Sequence, residues 1–74
     1  MIPPVSNPVW EQLVTGQKVI KSSNLAFNMH MYSLRLQYKT DPSPASVAKL
    51  ADHARQFVIK FADSLKPEMA ALFN

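Results

Sequence analysis

The sequence predicts an all-α fold: a short N-terminal helix, an antiparallel helical hairpin, and a short helical segment near the C-terminus. Three observations carry this. From Val47 to Leu65 the apolar residues recur at spacings of three and four, the period of one helix face. From Lys21 to Lys39 there is no Val, Ile or Thr, and the stretch is rich in Leu, Met, Ala, Arg, Gln and Lys, which suit helices better than strands. Asp41-Pro42-Ser43-Pro44 separates these two stretches as a turn, because neither proline can continue a helix.

Taken in order, residues 1–6 carry Pro3 and Pro4 and read as an extended N-terminal segment. Asn7-Pro8 then opens the first helix: an Asn side chain accepts an orphan backbone N–H, and proline at the first helical position loses no hydrogen bond. Val9, Trp10, Leu13 and Val14 follow at helical spacing, and Gly16 ends the segment. The first arm of the hairpin spans about 17–39, which contains neither Gly nor Pro beyond Gly16. Phe27, Met29 and Met31 alternate with polar residues, as do Leu34, Leu36 and Tyr38, which taken alone favours a strand; composition decides for helix. Residues 40–43 form the interhelical turn. Ser43 caps the second arm, about 44–66, with Pro44 at its first position.

That second arm is the clearest helix in the chain. Val47, Leu50, Ala51, Ala54, Phe57, Val58, Phe61 and Leu65 make one apolar face, with Phe57 and Phe61 at its centre and expected to be buried against the first arm. Lys49, Asp52, His53, Gln56, Lys60 and Asp63 fall on the opposite side and read as a solvated face. Pro67 restarts the chain, and Met69, Leu72 and Phe73 give its last turns an apolar patch. In layout, two helices about the turn Asp41-Pro42-Ser43-Pro44, the chain resembles the helical-hairpin subunits of secretion needles and rods. The likeness implies the hairpin and nothing about function.

The first arm has an unusual pattern. At about 100° per residue, Leu25, Met29, Tyr32 and Leu36 form one apolar seam, while Phe27, Met31, Leu34 and Tyr38, with Ile20, form a second on nearly the opposite side. A helix flanking a two-layer core needs one apolar stripe; two seams imply neighbours on both sides. One seam is expected to lie on the second arm. The other, Phe27, Met31, Leu34 and Tyr38, is expected to meet a protein partner or a second copy, and Met29 of the first seam is counted with it, since methionine suits adaptable surfaces. The competing arrangement has Trp10, Leu72 and Phe73 folding over that seam and closing a monomer.

Size bounds the functions available. With 74 residues there is room for a single small domain, and a chain this short buries only roughly 60% of its unfolded surface. Without cysteine, neither a disulfide nor a thiolate metal site exists to staple it, so helix packing or association must supply stability. No apolar run approaches the roughly 20 residues of a transmembrane helix. Met1-Ile2-Pro3-Pro4 has neither the basic nor the apolar region of a secretory signal, so a cytoplasmic location is expected, with signal-less secretion left open.

The chemistry of the side chains points away from catalysis. There is no cysteine nucleophile and no G-x-S-x-G turn, and one glycine cannot make a phosphate-cradling loop. The five acidic residues are scattered over faces that look exposed. His30 lies between Met29 and Met31, residue types that bind soft metals, but on a helix the three point in different directions, so no metal or cofactor is expected. The expected function is therefore a non-catalytic interaction or assembly protein, an oligomer or small subunit of a larger complex. The alternative is a small nucleic-acid-binding protein. Between Glu11 and Asp41 the only charged residues are Lys18, Lys21, Arg35 and Lys39, and Lys21, Asn24, Asn28, Arg35 and Lys39 fall on one stripe of the expected helix, where they suit phosphate contact. A solvated stripe is the simpler account of them, since +3 is a small net charge and no helix-turn-helix spacing or aromatic platform accompanies it.

Overall fold

A computed structural model describes residues 7–73, and among these the fold is all-α. Helix α1 spans Val9–Thr15, α2 Leu25–Thr40, α3 Pro44–Lys60 and α4 Lys66–Ala71, with one 3-10 turn at Ala62–Ser64. The extended segment expected at 1–6 lies outside the described residues.

Each helix end has a local cause. At α1 the cap position falls on Pro8, one residue after the expected Asn7, and the Val9 N–H donates to Asn7 Oδ1 at 3.0 Å. Gly16 ends it with φ 87°, a left-handed conformation that costs glycine little, and donates its N–H to the Gln12 carbonyl. At α3, Ser43 Oγ accepts from the Ser46 N–H and Pro44 occupies the first turn, as the sequence implies.

The first arm of the hairpin is shorter than expected. It begins at Leu25, and residues 17–24 form an irregular connection. The reason is capping chemistry. Asn24 Oδ1 accepts from the Phe27 N–H at 3.0 Å, Ser22 Oγ accepts from the Asn24 N–H at 2.9 Å, and Asn28 Nδ2 donates to the Ser22 carbonyl at 2.8 Å. Short polar side chains that bond nearby backbone groups favour a helix start over a helix interior. The second arm is also shorter, ending at Lys60 where about Lys66 was expected. Pro67 keeps α3 from running on into α4, because in one continuous helix its ring would clash with the Asp63 carbonyl; it sits instead in the first turn of α4.

One core joins all the elements. It holds Val9, Trp10, Leu13 and Val14 from α1, Phe27, Met31 and Leu34 from α2, and Leu50, Ala51, Ala54 and Val58 from α3. Ile20, Leu65, Met69 and Leu72 complete it, with Tyr38 and Phe57 packed at its edge. The hairpin of α2 and α3 is present, but α1 makes its broadest contact with α3 and also reaches α2. The short N-terminal helix is thus a full member of the core. Phe61, expected at the centre of the α3 face, is 42% exposed, and Phe57 is only partly buried. The helix ends at Lys60, so the chain has already turned when Phe61 is reached.

Candidate interaction surface

Helix α2 presents its two seams differently. Phe27, Met31 and Leu34 are each 2% exposed, and Tyr38 is partly buried beside them. Leu25 is 71% exposed, Met29 63%, Tyr32 63% and Leu36 44%. Seven large hydrophobic side chains are exposed among the described residues, and these four fall on a single helix face. The outward seam is the unpartnered one.

Two flanking residues show how α2 is oriented. Arg35 Nε donates to the Leu13 carbonyl at 3.0 Å, which ties one edge of the buried seam to the end of α1. On the other edge the His30 ring stacks on Phe57 of α3, with centroids 4.2 Å apart and planes 11° from parallel. The buried seam therefore points into the space between α1 and α3, and the outward seam is opposite. The residues expected to meet a partner divide accordingly. Phe27, Met31, Leu34 and Tyr38 belong to the chain's own core, the same cluster that holds Trp10 and Leu72, while Met29 stands on the outward seam. Phe73, also a candidate cover, is 46% exposed.

The outward seam has the chemistry of a recognition surface. Met29, Tyr32 and Leu36 floor a shallow apolar groove whose polar lining is Asn28, Ser33 and Gln37, all uncharged. Gln37 Nε2 lies 3.4 Å from both the carbonyl and the hydroxyl oxygen of Ser33, a weak contact on the exposed face. Interfaces are enriched in Tyr and Met and depleted of charge at their centres. No single signal in the sequence distinguishes this seam from the buried one, since both have the same spacing.

The expected basic stripe does not lie on α2 alone. Lys21 lies in the connection before α2, so it is not part of the helix face expected to carry it. Asn24 and Asn28 are engaged in capping and in the Ser22 contact, Arg35 in its bond to Leu13, and Lys39 is exposed near the end of α2.

Two buried polar groups stand apart from these surfaces. Glu68, expected to be exposed, is 5% exposed and accepts a hydrogen bond from Ser22 Oγ, 46 residues away; its Oε1 has no hydrogen-bond partner. That pair fastens α4 to the connection between α1 and α2. His30 Nε2 is likewise buried without a hydrogen bond. Burial holds the His30 pKa below its ordinary value; the backbone of His53 acts against this, and the His53 charge adds to the lowering. Met31 is buried in the core while Met29 faces outward, so the Met29-His30-Met31 run does not converge on one point.

Comparison of the chain with protein-family models, curated proteins and solved structures returns no match. No helix among the described residues is long and apolar enough to cross a membrane.

Proposed function

We propose that this chain is a non-catalytic interaction protein whose working surface is the outward face of α2, and that it acts as an oligomer or as a small subunit of a larger complex. One observation carries the reading: Leu25, Met29, Tyr32 and Leu36 form an exposed apolar seam on a well-capped helix, with uncharged polar residues lining the groove at its centre. At those exposures the four side chains present on the order of 400–500 Å² of surface, the size of the largest patch on a typical monomer, which is often a functional one. A rigid helix face with anchors at three- and four-residue spacing suits recognition of another helix. The chain has no cysteine, which agrees with a reducing compartment, and the cytoplasm is the proposed location.

Phosphate contact has less support, because Asn24, Asn28 and Arg35 already bond within the chain. Photo-crosslinking in cells that express the protein tests the reading. A benzophenone side chain at Tyr32 is expected to give protein adducts, and the same probe at Lys49, exposed on α3, is expected to give none. Equal yields from the two positions, or none from position 32, would remove the α2 face as a docking surface.

A further inference from the structure

Resting on that reading, we propose that the occupant of the outward α2 face is a second copy of the chain, bound antiparallel about a two-fold axis that crosses the face midway between Met29 and Tyr32. The first argument is symmetry. A two-fold dimer uses one patch twice, so the patch must be complementary to itself when reversed. The exposed residues are spaced four, three, four: Leu25, Met29, Tyr32, Leu36. This series reads the same in both directions. Reversed about its centre it sets Leu25 of one copy against Leu36 of the other, and Met29 against Tyr32. Both pairs suit contact: two aliphatic side chains at each end, and a thioether against an aromatic ring on either side of the axis. Mixed spacings of three and four also let side chains of one helix enter the gaps of another at a shallow crossing angle.

The second argument is charge. No acidic residue lies on α2, and Lys39 continues the exposed series three residues beyond Leu36. In a parallel pair the two Lys39 ammonium groups would meet across a helix–helix distance of about 8–10 Å, close to one screening length in physiological salt. In the antiparallel pair they stand at opposite ends, about 25 Å apart along the axis at 1.5 Å per residue, where screening removes the repulsion. The helix dipoles also oppose each other favourably in that arrangement.

Area sets the strength. Two such faces bury on the order of 900 Å² together, below the roughly 1,200 Å² where stable specific interfaces begin, so the dimer is a weak, transient one that forms at high concentration.

Sedimentation and disulfide trapping test this on the full chain, and the absence of native cysteine makes every disulfide report on an introduced residue. The wild-type chain is expected to shift from monomer toward dimer as its concentration is raised through the micromolar range, as a weak interface requires. Tyr32→Lys should abolish the shift while leaving the helical circular dichroism intact. Singly substituted Leu25→Cys and Leu36→Cys chains, mixed under mild oxidation, should give the mixed disulfide predominantly. Either variant alone should give little. Homodisulfides from each variant alone would overturn the antiparallel arrangement. A dimer that survives Tyr32→Lys would place the interface elsewhere. A wild-type monomer throughout would end self-association; if the probe at position 32 still captured a different protein, docking would stand and only the second copy would fail.

Discussion

The two faces of α2 are nearly the same in sequence and opposite in circumstance. Phe27, Met31, Leu34 and Tyr38 are spaced four, three, four; so are Leu25, Met29, Tyr32 and Leu36. Each set holds one methionine, one tyrosine and at least one leucine. An offset of two residues turns the second set by about 200°, to the other side of the helix. One set is sealed in the core and the other faces water. Hydrophobic pattern states how many neighbours a helix needs, but the neighbours available decide which face is covered first. Here α1 and α3 approach the same side, held by Arg35 on one flank and His30 on the other.

The largest effect separating the faces comes from placing a charge on each. Leu34→Lys puts an ammonium where the native side chain is 2% exposed, and the chain should unfold, because a buried unpaired charge costs more than a small domain's stability. Leu36→Lys, two residues on, should leave a folded protein. Circular dichroism of the pair checks this. Two unfolded variants, or two folded ones, would erase the distinction between the faces.

Truncation gives a smaller and graded version. Phe27→Ala should lose about 3–5 kcal/mol through cavity formation, whereas Leu25→Ala should stay within about 0.5 kcal/mol in the monomer. Urea unfolding at low concentration measures both. Comparable losses would show that Leu25 is covered.

The smallest effect concerns the boundary between the faces. His30 has its pKa held below the usual value near 6.5 by burial. The unfolded chain therefore takes up the proton first, so this group's contribution to stability is full above about pH 6.5 and declines as pH falls through that value toward the folded pKa. His30→Gln should flatten the fall in melting temperature between about pH 7 and pH 5. An identical slope in wild type and variant would show that the ring is not responsible.

Much of the fold was legible locally. Ser43-Pro44 marks the start of α3, Asp41-Pro42 the turn, Gly16 the end of α1, and the lack of β-branched residues over α2 outweighs its local alternation. The late start of α2 was written in Ser22-Ser23-Asn24, a run of capping residues, but no glycine or proline marked it. Phe61 looks central only if the periodicity is carried past Lys60, where the helix ends and a 3-10 turn follows. The covered face of α2 was not legible, because equal spacings give equal patterns. Nor was the burial of Glu68: its partner Ser22 is 46 residues away, and nothing near Glu68 announces a hydroxyl so distant in sequence.

The Ser22–Glu68 contact and the buried Leu65, Met69 and Leu72 bear on how the chain is made. Synthesis delivers residues in order, at about 5–20 per second, and α1, α2 and α3 all leave the ribosome before the segment that helps seal their core. During that interval α1 and α3 can already meet the inner face of α2, but the shared core still lacks Leu65, Met69 and Leu72. Their arrival completes it, and the Ser22–Glu68 hydrogen bond then joins the segment after α3 to the connection before α2. The fold is therefore locked from its late end, by a contact that no shorter nascent chain can make.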